Sequence, residues 1–433
     1  MELTITGVGS ELQGVGRAAD GRAVFVPGAL PAERVEVSVI REKERFCEAK
    51  LIQVLDKSVH RERARCPYAG TCGGCNAMHM TYGYTLELKQ QKVIDALRRL
   101  GGIPCPQVYL AIGMVDPYRT RNKAEYPIAQ GKIGCSMANS HAIVEVEDCL
   151  IQSEQSVEAL RVARTWLRKN PFKFSGYLVT RTTTSGQLMC ILSSDRNVDS
   201  TALGQALFEN VQGMVSFFAC KLRSGFQHAL DGQCHLVTGQ DTVRESVSGL
   251  LFDISPQSFF QVNIRGVEAL YGAALSAAAL TGQESVLDAY CGTGSIALLM
   301  ARAAKKVVGV EIVAPAIQDA KRNAEENELQ SVSTFYCADA AKWLPNAVRN
   351  GFKPNVVCMD PPRKGVDAQF IEAVRRAQPK RVVYVSCDPA TMARDIKRLC
   401  EGDRYRFEHA QPVDMFAWTG HVETVALMSR ADT

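Results

Sequence analysis

The chain has 433 residues, 46% of them hydrophobic, and a formal net charge of +4. This length is typical of about three domains, and the hydrophobic fraction indicates a globular protein with packed cores. No run of about 18 apolar residues occurs, which excludes a transmembrane helix, and the start, MELTITGVGS, lacks the features of a secretion signal. The weak positive charge permits a face for nucleic acid without requiring one.

Fifteen cysteines, an odd number, occur in a chain without an export signal. This combination indicates a reducing compartment, where clustered cysteines bind metal or take part in chemistry more often than they form disulfides. We therefore expect a cytoplasmic protein.

Residues 1–57 contain short apolar runs separated by glycines, among them AVFVPGAL and RVEVSVI. Alternation with a period of two and closely spaced turns predict a small antiparallel β-barrel. Two interpretations stay open from composition alone. The barrel is either a structural cap or an oligonucleotide-binding barrel that contacts RNA by shape and backbone.

Residues 58–255 predict a central α+β domain with a cysteine motif near its start. In CPYAGTCGGC, Cys66, Cys72 and Cys75 have a spacing that, with a distant fourth cysteine, could hold zinc or an iron–sulfur cluster. Residues 86–102, LELKQQKVIDALRRLGG, predict an amphipathic helix that stops at the glycines. The remainder mixes strand-like and helical pieces without repeats.

From about residue 256, apolar runs bounded by glycine alternate with helical stretches, which is typical of a doubly wound parallel sheet. VLDAYCGTGSIALLMA (286–301) predicts a strand that leads through Gly292 into a helix, and glycine there allows close approach of a ligand. Glu311 closes the next strand, nineteen residues after Gly292, where a carboxylate can accept both hydroxyls of a ribose. Asp339 closes the third strand and could meet an adenine edge.

The glycine pattern also discriminates between ligands. A dinucleotide site of the GxGxxG type requires a third glycine three residues further on, but Ala297 and Leu298 stand there. An adenosyl ligand without phosphates, S-adenosylmethionine, therefore fits best. A nucleotide phosphate ligand and an empty packing loop stay as alternatives.

The fourth predicted strand ends in MDPPRKG (359–365). Asp-Pro-Pro at a strand end occurs in amino-group methyltransferases, but in those enzymes an aromatic residue follows and stacks on the target base. Arg363 follows here, which weakens the amino-methylation hypothesis.

The fifth strand delivers Cys387 to the start of a predicted helix, in RVVYVSCDPATMARDI (381–396). Asp388 can cap that helix, and Pro389 suits its first turn. A helix N-terminus stabilises a thiolate, so we expect a lowered pKa and a nucleophilic thiol at Cys387. The alternative is a small buried thiol that ends a strand.

A cysteine and a carboxylate together suit methylation of uracil at C5. The C5 carbon becomes nucleophilic only after a thiolate adds to C6, and a base must later remove the C5 proton so that the thiolate can leave. Glu423, in TGHVETVALMS (419–429), lies at the entry to the last predicted strand. Taken alone, such a glutamate is usually a solvated strand end.

The last 180 residues resemble the catalytic domain of RNA (uracil-C5)-methyltransferases, a Rossmann-like class I fold. The matching motifs are SFFQVN (258–263), LDAYCGTGSI (287–296), MDPPRKG, VSCDPATMARD (385–395) and HVETVALMS. The resemblance implies that Cys387 is the nucleophile and Glu423 the proton-abstracting base. It implies cofactor contacts by Gln261, Tyr290, Glu311 and Asp360, and less firmly by Asp339.

The N-terminal half resembles the subset of this family that has a TRAM barrel and an iron–sulfur cluster. This implies that Cys66, Cys72, Cys75 and Cys149 hold a [4Fe–4S] cluster, whereas Cys105 and Cys135 have no motif around them. Zinc stays as the alternative metal. YRTRNKAEYP (118–127) resembles an RNA-facing segment of the family, which implies phosphate contacts by Arg119, Arg121 and Lys123.

The expected protein is thus a multidomain α/β chain. We expect a TRAM or OB-like barrel at 1–57, a cluster-bearing central domain at 58–255 and a class I methyltransferase at 256–433. The expected reaction forms 5-methyluridine in structured RNA, with ribosomal 23S RNA favoured and the tRNA T-loop as the alternative. A non-catalytic RNA-binding assembly factor is a further alternative, and we expect a monomer without a membrane partner.

Overall fold

Five strands at the N-terminus close into a small barrel. The computed structural model describes residues 1–170 and 174–431. The barrel has the order β1-β2-β3-β5-β4, and β1 pairs with β4 to close it. Alternate side chains such as Leu3, Ile5 and Val35 fill its interior, which agrees with the predicted period of two. The strands are β1 (Glu2–Val8), β2 (Gly14–Arg17), β3 (Ala23–Val26), β4 (Arg34–Glu42) and β5 (Phe46–Asp56).

The central part begins with α1 (Tyr82–Arg99), which starts four residues before the predicted helix at 86–102. Residues 82–85 are recruited into the helix by long-range contacts, because the Tyr82 ring packs against Trp418. A six-stranded sheet follows in the order β13-β12-β11-β10-β6-β7. The elements are β6 (Lys123–Ala129), β7 (Lys132–Ile133), β8 (Cys135–Ser136), β9 (Ile143–Val144), α2 (Glu154–Lys169), β10 (Gly176–Thr182), β11 (Leu188–Ser194), α3 (Thr201–Asn210), β12 (Met214–Leu222) and β13 (Gly232–Gly239).

A hairpin leads into the C-terminal part and packs against two of its helices. Its strands are buried on alternate residues, and their apolar side chains join the core of the large sheet. The hairpin strands and the first helix are β14 (Val243–Val247), β15 (Leu250–Ile254) and α4 (Ile264–Ala278).

The C-terminal part is a seven-stranded sheet with helices on both faces, in the order β18-β17-β16-β19-β20-β22-β21. The elements are β16 (Ser285–Ala289), α5 (Ser295–Ala301), β17 (Lys306–Glu311), α6 (Ala314–Glu326), β18 (Ser333–Cys337), α7 (Ala340–Arg349), β19 (Val356–Met359), α8 (Ala368–Ala377), β20 (Arg381–Ser386), α9 (Pro389–Cys400), β21 (Tyr405–Val413) and β22 (Glu423–Arg430).

The strand order of this sheet determines where a ligand can bind. The chain moves outward from β16 to β18 and then returns to β19 on the other side of β16. Crevices open at such a switch point, outside the carboxyl ends of the strands. The predicted doubly wound sheet is confirmed, with one addition: β22 is inserted antiparallel between β20 and β21. No described helix is long and apolar enough to cross a membrane.

Candidate active site and cysteine-lined cavity

The turn after β16 forms the floor of the switch-point crevice. Tyr290 and Gly292 have φ of +65° and +55°, a left-handed conformation that is unusual for a bulky residue such as tyrosine. The amides of Tyr290 and Cys291 both donate to Val310 O of β17, which holds the turn against the neighbouring strand. The Gly292 amide donates to Glu311 Oε2 at 3.2 Å. The glycine turn and the ribose-binding candidate Glu311 are therefore adjacent.

The predicted cofactor residues divide into two groups. Gln261, Tyr290, Gly292 and Asp360 line one cavity in this crevice. Asp339 does not line this cavity, although its charge acts on Tyr290; it caps α7, where its carboxylate accepts the Ala341 amide at 2.9 Å. A contact between Asp339 and the cofactor stays a prediction.

Asp288 is a residue of the same cavity that the sequence analysis missed. It lies within β16, is only 1% exposed, and neither carboxylate oxygen has a hydrogen-bond partner among the described residues. Burial, and next the charge of Asp360, raise the pKa of Asp288 well above its usual range. An unpartnered buried carboxyl suits a cationic or hydrogen-bond-donating ligand group. Its position as an acidic residue just before a glycine turn was the available signal.

Cys387 occupies the predicted position between β20 and α9. Asp388 caps α9, because its Oδ1 accepts the amides of Ala390 and Thr391 at 2.8 and 3.1 Å. The last pair of the antiparallel β20–β22 ladder is Ser386 with Thr424. The next residues in that register are Cys387 and Glu423, which places the thiol beside the carboxyl.

The expected lowering of the Cys387 pKa is wrong for the protein without RNA. Burial, followed by the charges of Glu423 and Asp360, raises the pKa of this thiol to about 11. Arg363 opposes the shift but does not outweigh the two carboxyls. The helix N-terminus therefore does not decide the pKa at this site, because burial and, after it, the nearby carboxylates destabilise a thiolate.

Two carboxyls beside the thiol hold protons near neutral pH. Burial raises the pKa of Asp360 to about 7. Burial, and next the charge of Asp360, raise the pKa of Glu423 to about 8, whereas Arg363 lowers it. Groups that titrate near the working pH are suited to proton transfer. Arg363 is exposed at the mouth of this site, and no ion pair joins it to another described residue.

A second cavity, of about 530 Å³, is lined by five cysteines. The four predicted ligands Cys66, Cys72, Cys75 and Cys149 all face it, and Cys135 of the β8–β9 hairpin joins them. The Cys135 thiol hydrogen-bonds to those of Cys72 and Cys149 and lowers their pKa to about 6 and about 7. Thiols that lose their protons readily have the chemistry of iron and zinc ligands, whereas burial raises the pKa of the other two predicted ligands, Cys66 and Cys75.

The arrangement of these thiols is not that of a preformed site for a single ion. Within residues 1–170 and 174–431, no group of three or more histidine, cysteine, aspartate or glutamate side chains is arranged to hold a metal ion. The residue types and their convergence on one cavity fit an iron–sulfur group.

The predicted RNA-facing residues have protein partners. Arg119 makes a bidentate pair with Asp148, both contacts at 2.8 Å, and donates to Cys149 O. Lys123 pairs with Glu125 at 2.8 Å. Arg121 faces the cysteine-lined cavity and lies 5.8 Å from the centre of the Phe416 ring. Phosphate contacts by these three residues stay a prediction.

Comparison with known proteins places these features in a family. Residues 228–431 match the tRNA (Uracil-5-)-methyltransferase family, and residues 1–52 match the TRAM domain. An RNA methyltransferase of Clostridium tetani is 39% identical over 99% of this chain and 95% of its own length. One of Caldanaerobacter subterraneus is 39% identical over 99% of this chain and 98% of its own length.

A solved structure has the same overall fold. The tRNA (uracil-54, C5)-methyltransferase of Pyrococcus abyssi, in complex with S-adenosyl-L-homocysteine, aligns with a TM-score of 0.77 and 24% identity. The alignment covers 99% of this chain and 100% of that one. The chain belongs to the RNA uracil-5-methyltransferase family and is an S-adenosylmethionine-dependent RNA methyltransferase with an N-terminal TRAM domain.

Proposed function

We propose that the protein methylates C5 of a uridine in structured RNA through a covalent intermediate on Cys387. The observation that carries this proposal is the β20–β22 register, which brings Cys387 and Glu423 together beside the switch-point crevice. C5 methylation requires a thiol that can add to C6 and a base close enough to remove the proton from C5. The raised pKa of Glu423, about 8, suits a residue that takes up a proton during turnover.

The Cys387 thiolate adds to C6 of the uracil, and the electron pair of the C5–C6 double bond moves to C5 and the C4 carbonyl. C5 then bonds to the methyl group of S-adenosylmethionine while the sulfur–methyl bond breaks, its electron pair stays on sulfur, and S-adenosylhomocysteine is the leaving group. Glu423 removes the proton from C5, the double bond re-forms, and the thiolate leaves C6. Arg363 favours the thiolate electrostatically in this scheme, since its charge lowers the pKa of Cys387.

We propose that the predicted cofactor residues bind S-adenosylmethionine in the switch-point crevice. Gln261, Tyr290, Gly292 and Asp360 would surround the methionine part of S-adenosylmethionine, because they line one cavity and the charge of Asp360 acts on the Cys387 thiol. Glu311 would accept the ribose hydroxyls, since it lies directly beside Gly292. The role of Asp339 rests on the family resemblance.

The cysteine-lined cavity is proposed to hold a [4Fe–4S] cluster on Cys66, Cys72, Cys75 and Cys149. Convergence of these four thiols from two distant segments supports it. When bound, such a cluster supplies four metal–thiolate links that tie the two segments together. Cys135 lines the same cavity and is the alternative to Cys149 as the fourth cluster ligand.

Large-subunit ribosomal RNA is the favoured substrate, because a TRAM barrel combined with a cluster is the layout of the ribosomal members that the sequence resembles. The tRNA T-loop is the second candidate, since the solved structure with the same fold is a tRNA (uracil-54, C5)-methyltransferase. A non-catalytic assembly factor would have no need for Cys387 and Glu423, and both are present.

The experiment that tests the reaction and its substrate is a map of 5-methyluridine in total RNA from a deletion strain. We expect one or two uridines to lose the methyl group and to regain it when the wild-type gene, but not a Cys387→Ala gene, is returned. Loss confined to ribosomal RNA would support the favoured substrate, and loss confined to tRNA the alternative. An unchanged map would contradict the proposal.

A further inference from the structure

The connection between β21 and β22, residues 414–422, leads directly to Glu423. Three alternate backbone carbonyls of this connection accept hydrogen bonds from residues 76–92, the segment that follows Cys75 and continues into α1. The donors are Lys89 Nζ for Phe416, the backbone amides of Asn76 and Ala77 for Trp418, and Lys92 Nζ for Gly420, at 2.7–3.0 Å.

The start of this connection is fixed by a buried ion pair. Lys89 Nζ lies 2.5 Å from Asp414 Oδ1, and both side chains are 0% exposed. Tyr82, on the same helix, donates to Asp414 Oδ2 at 2.7 Å. A buried pair contributes little net stability but permits few alternative arrangements, because separating it leaves an uncompensated charge.

The middle of the connection has a strained backbone. Trp418 has φ of +64°, a conformation that costs a non-glycine residue about 1–3 kcal/mol and persists only where surrounding contacts enforce it. The Trp418 ring packs against Tyr82 and Tyr118, with centroid distances of 5.4 Å to each. These contacts come from the first residue of α1 and from the segment that follows this helix.

The end of the connection is held by Lys92. Its ammonium group donates to Gly420 O at 2.7 Å and to Ser10 O, in the loop between β1 and β2, at 2.8 Å. One side chain of α1 thus joins the barrel to the backbone three residues before Glu423. Both acceptors are neutral carbonyls, so replacing Lys92 leaves no buried carboxylate without a partner.

We infer that Lys92 and the Lys89–Asp414 pair position Glu423 for the proton-removal step. These lysines hold the 414–422 connection so that Glu423 stays beside Cys387. The inference rests on the proposed role of Glu423. According to this inference, contacts made by α1, a helix outside the catalytic sheet, affect the rate of the last chemical step. They do not affect the rates of thiol addition or methyl transfer.

The test is a Lys92→Met substitution in the full-length protein, with RNA and S-adenosylmethionine. Loss of hydrogen bonds from a charged donor should slow elimination about tenfold or more. We expect a covalent RNA–protein species that survives denaturing electrophoresis, accumulates only with S-adenosylmethionine, and decays more slowly than in wild type. The dissociation constant of S-adenosylmethionine should stay within about twofold of the wild-type value, because Lys92 does not line the crevice.

Two further variants complete the test. Lys92→Arg retains donors and should restore much of the elimination rate. Arg99→Met is the matched control, because Arg99 lies on the same helix, is largely exposed, and forms an ion pair with Asp95 of its own helix. It should behave as wild type.

The outcomes separate the two hypotheses. If Glu423→Gln accumulates the adduct and Lys92→Met does not, the positioning role is wrong and the proposed function stands. If Lys92→Met slows adduct formation as much as its decay, Lys92 supports the fold in general, which also overturns the inference. If Glu423→Gln itself forms no adduct, the proposed function fails first.

Discussion

Glu423 and Asp360 are an interacting pair of carboxyls beside the Cys387 thiol. Each would ionise far below neutral pH in water, but burial keeps protons on both near pH 7, and the charge of Asp360 adds to this effect at Glu423. The site therefore contains two carboxyls that gain and lose protons near neutral pH, next to a thiol that has to lose its own proton.

The first prediction concerns the pH dependence of adduct decay. Glu423 can remove the C5 proton only when it is ionised, and its pKa is raised to about 8. The rate of decay should therefore increase as the pH rises, by about tenfold per pH unit below this value, and level off above about 8. The measurement is the decay of the covalent species in single-turnover reactions at a series of pH values. An identical profile in Glu423→Gln would assign the titration to another group, such as Asp360.

The second prediction separates the two catalytic residues by the step that each serves. Cys387→Ala should bind RNA and S-adenosylmethionine but form neither adduct nor product. Glu423→Gln should form the adduct and release it about 100- to 10,000-fold more slowly, which is the usual cost of removing a general base. Denaturing gels with labelled RNA measure both effects, and the Cys387→Ala, Glu423→Gln double variant is the control without adduct. Product from Cys387→Ala would refute the covalent mechanism.

The third prediction concerns the cysteine-lined cavity. Protein purified without oxygen should be brown, with about four iron and four sulfide per chain. Cys72→Ala and Cys149→Ala should both lose this content, whereas Cys135→Ala should retain it. If Cys135→Ala loses the iron and Cys149→Ala keeps it, the fourth ligand is Cys135. Stoichiometric zinc in colourless protein would refute the cluster.

The fourth prediction concerns the barrel. Arg41 and Arg45 are exposed at the β4–β5 turn. If the barrel binds RNA phosphates, the double change Arg41→Ala, Arg45→Ala should weaken RNA affinity and reduce its salt dependence, because fewer counterions are released. Cofactor affinity should not change. Arg34→Ala is the matched control, since Arg34 is already paired with Glu2 and Asp56. Equal RNA affinity in all three proteins would favour a structural cap.

Several features of this protein could be predicted from the sequence because they depend on near neighbours along the chain. The period of two in residues 1–57 specified a barrel, since alternate side chains of a strand point to opposite faces. The glycine turn after β16 and the Asp388 cap of α9 were predicted for the same local reason, and the structure contains both. The reaction class was predicted from the family motifs, which indicate the residue types at the site but not how they are arranged in space.

Other features were decided only by the tertiary structure. The pairing of Ser386 with Thr424, which brings Glu423 to Cys387, joins residues separated by a helix and a strand. The pKa of Cys387 rises chiefly because the tertiary structure buries the thiol, and next because it brings the carboxyls of Glu423 and Asp360 close to it.

The position of the fifth thiol, Cys135, and that of the 414–422 connection also depend on tertiary contacts. Cys135 had no motif, yet the β8–β9 hairpin brings it between Cys72 and Cys149. Lys89 and Asp414 are 325 residues apart and meet only when α1 packs on the catalytic sheet. Register, electrostatic balance and buried ion pairs depend on which surfaces come together. A pattern of neighbouring residues contains no information about that, because the partners lie in remote parts of the chain.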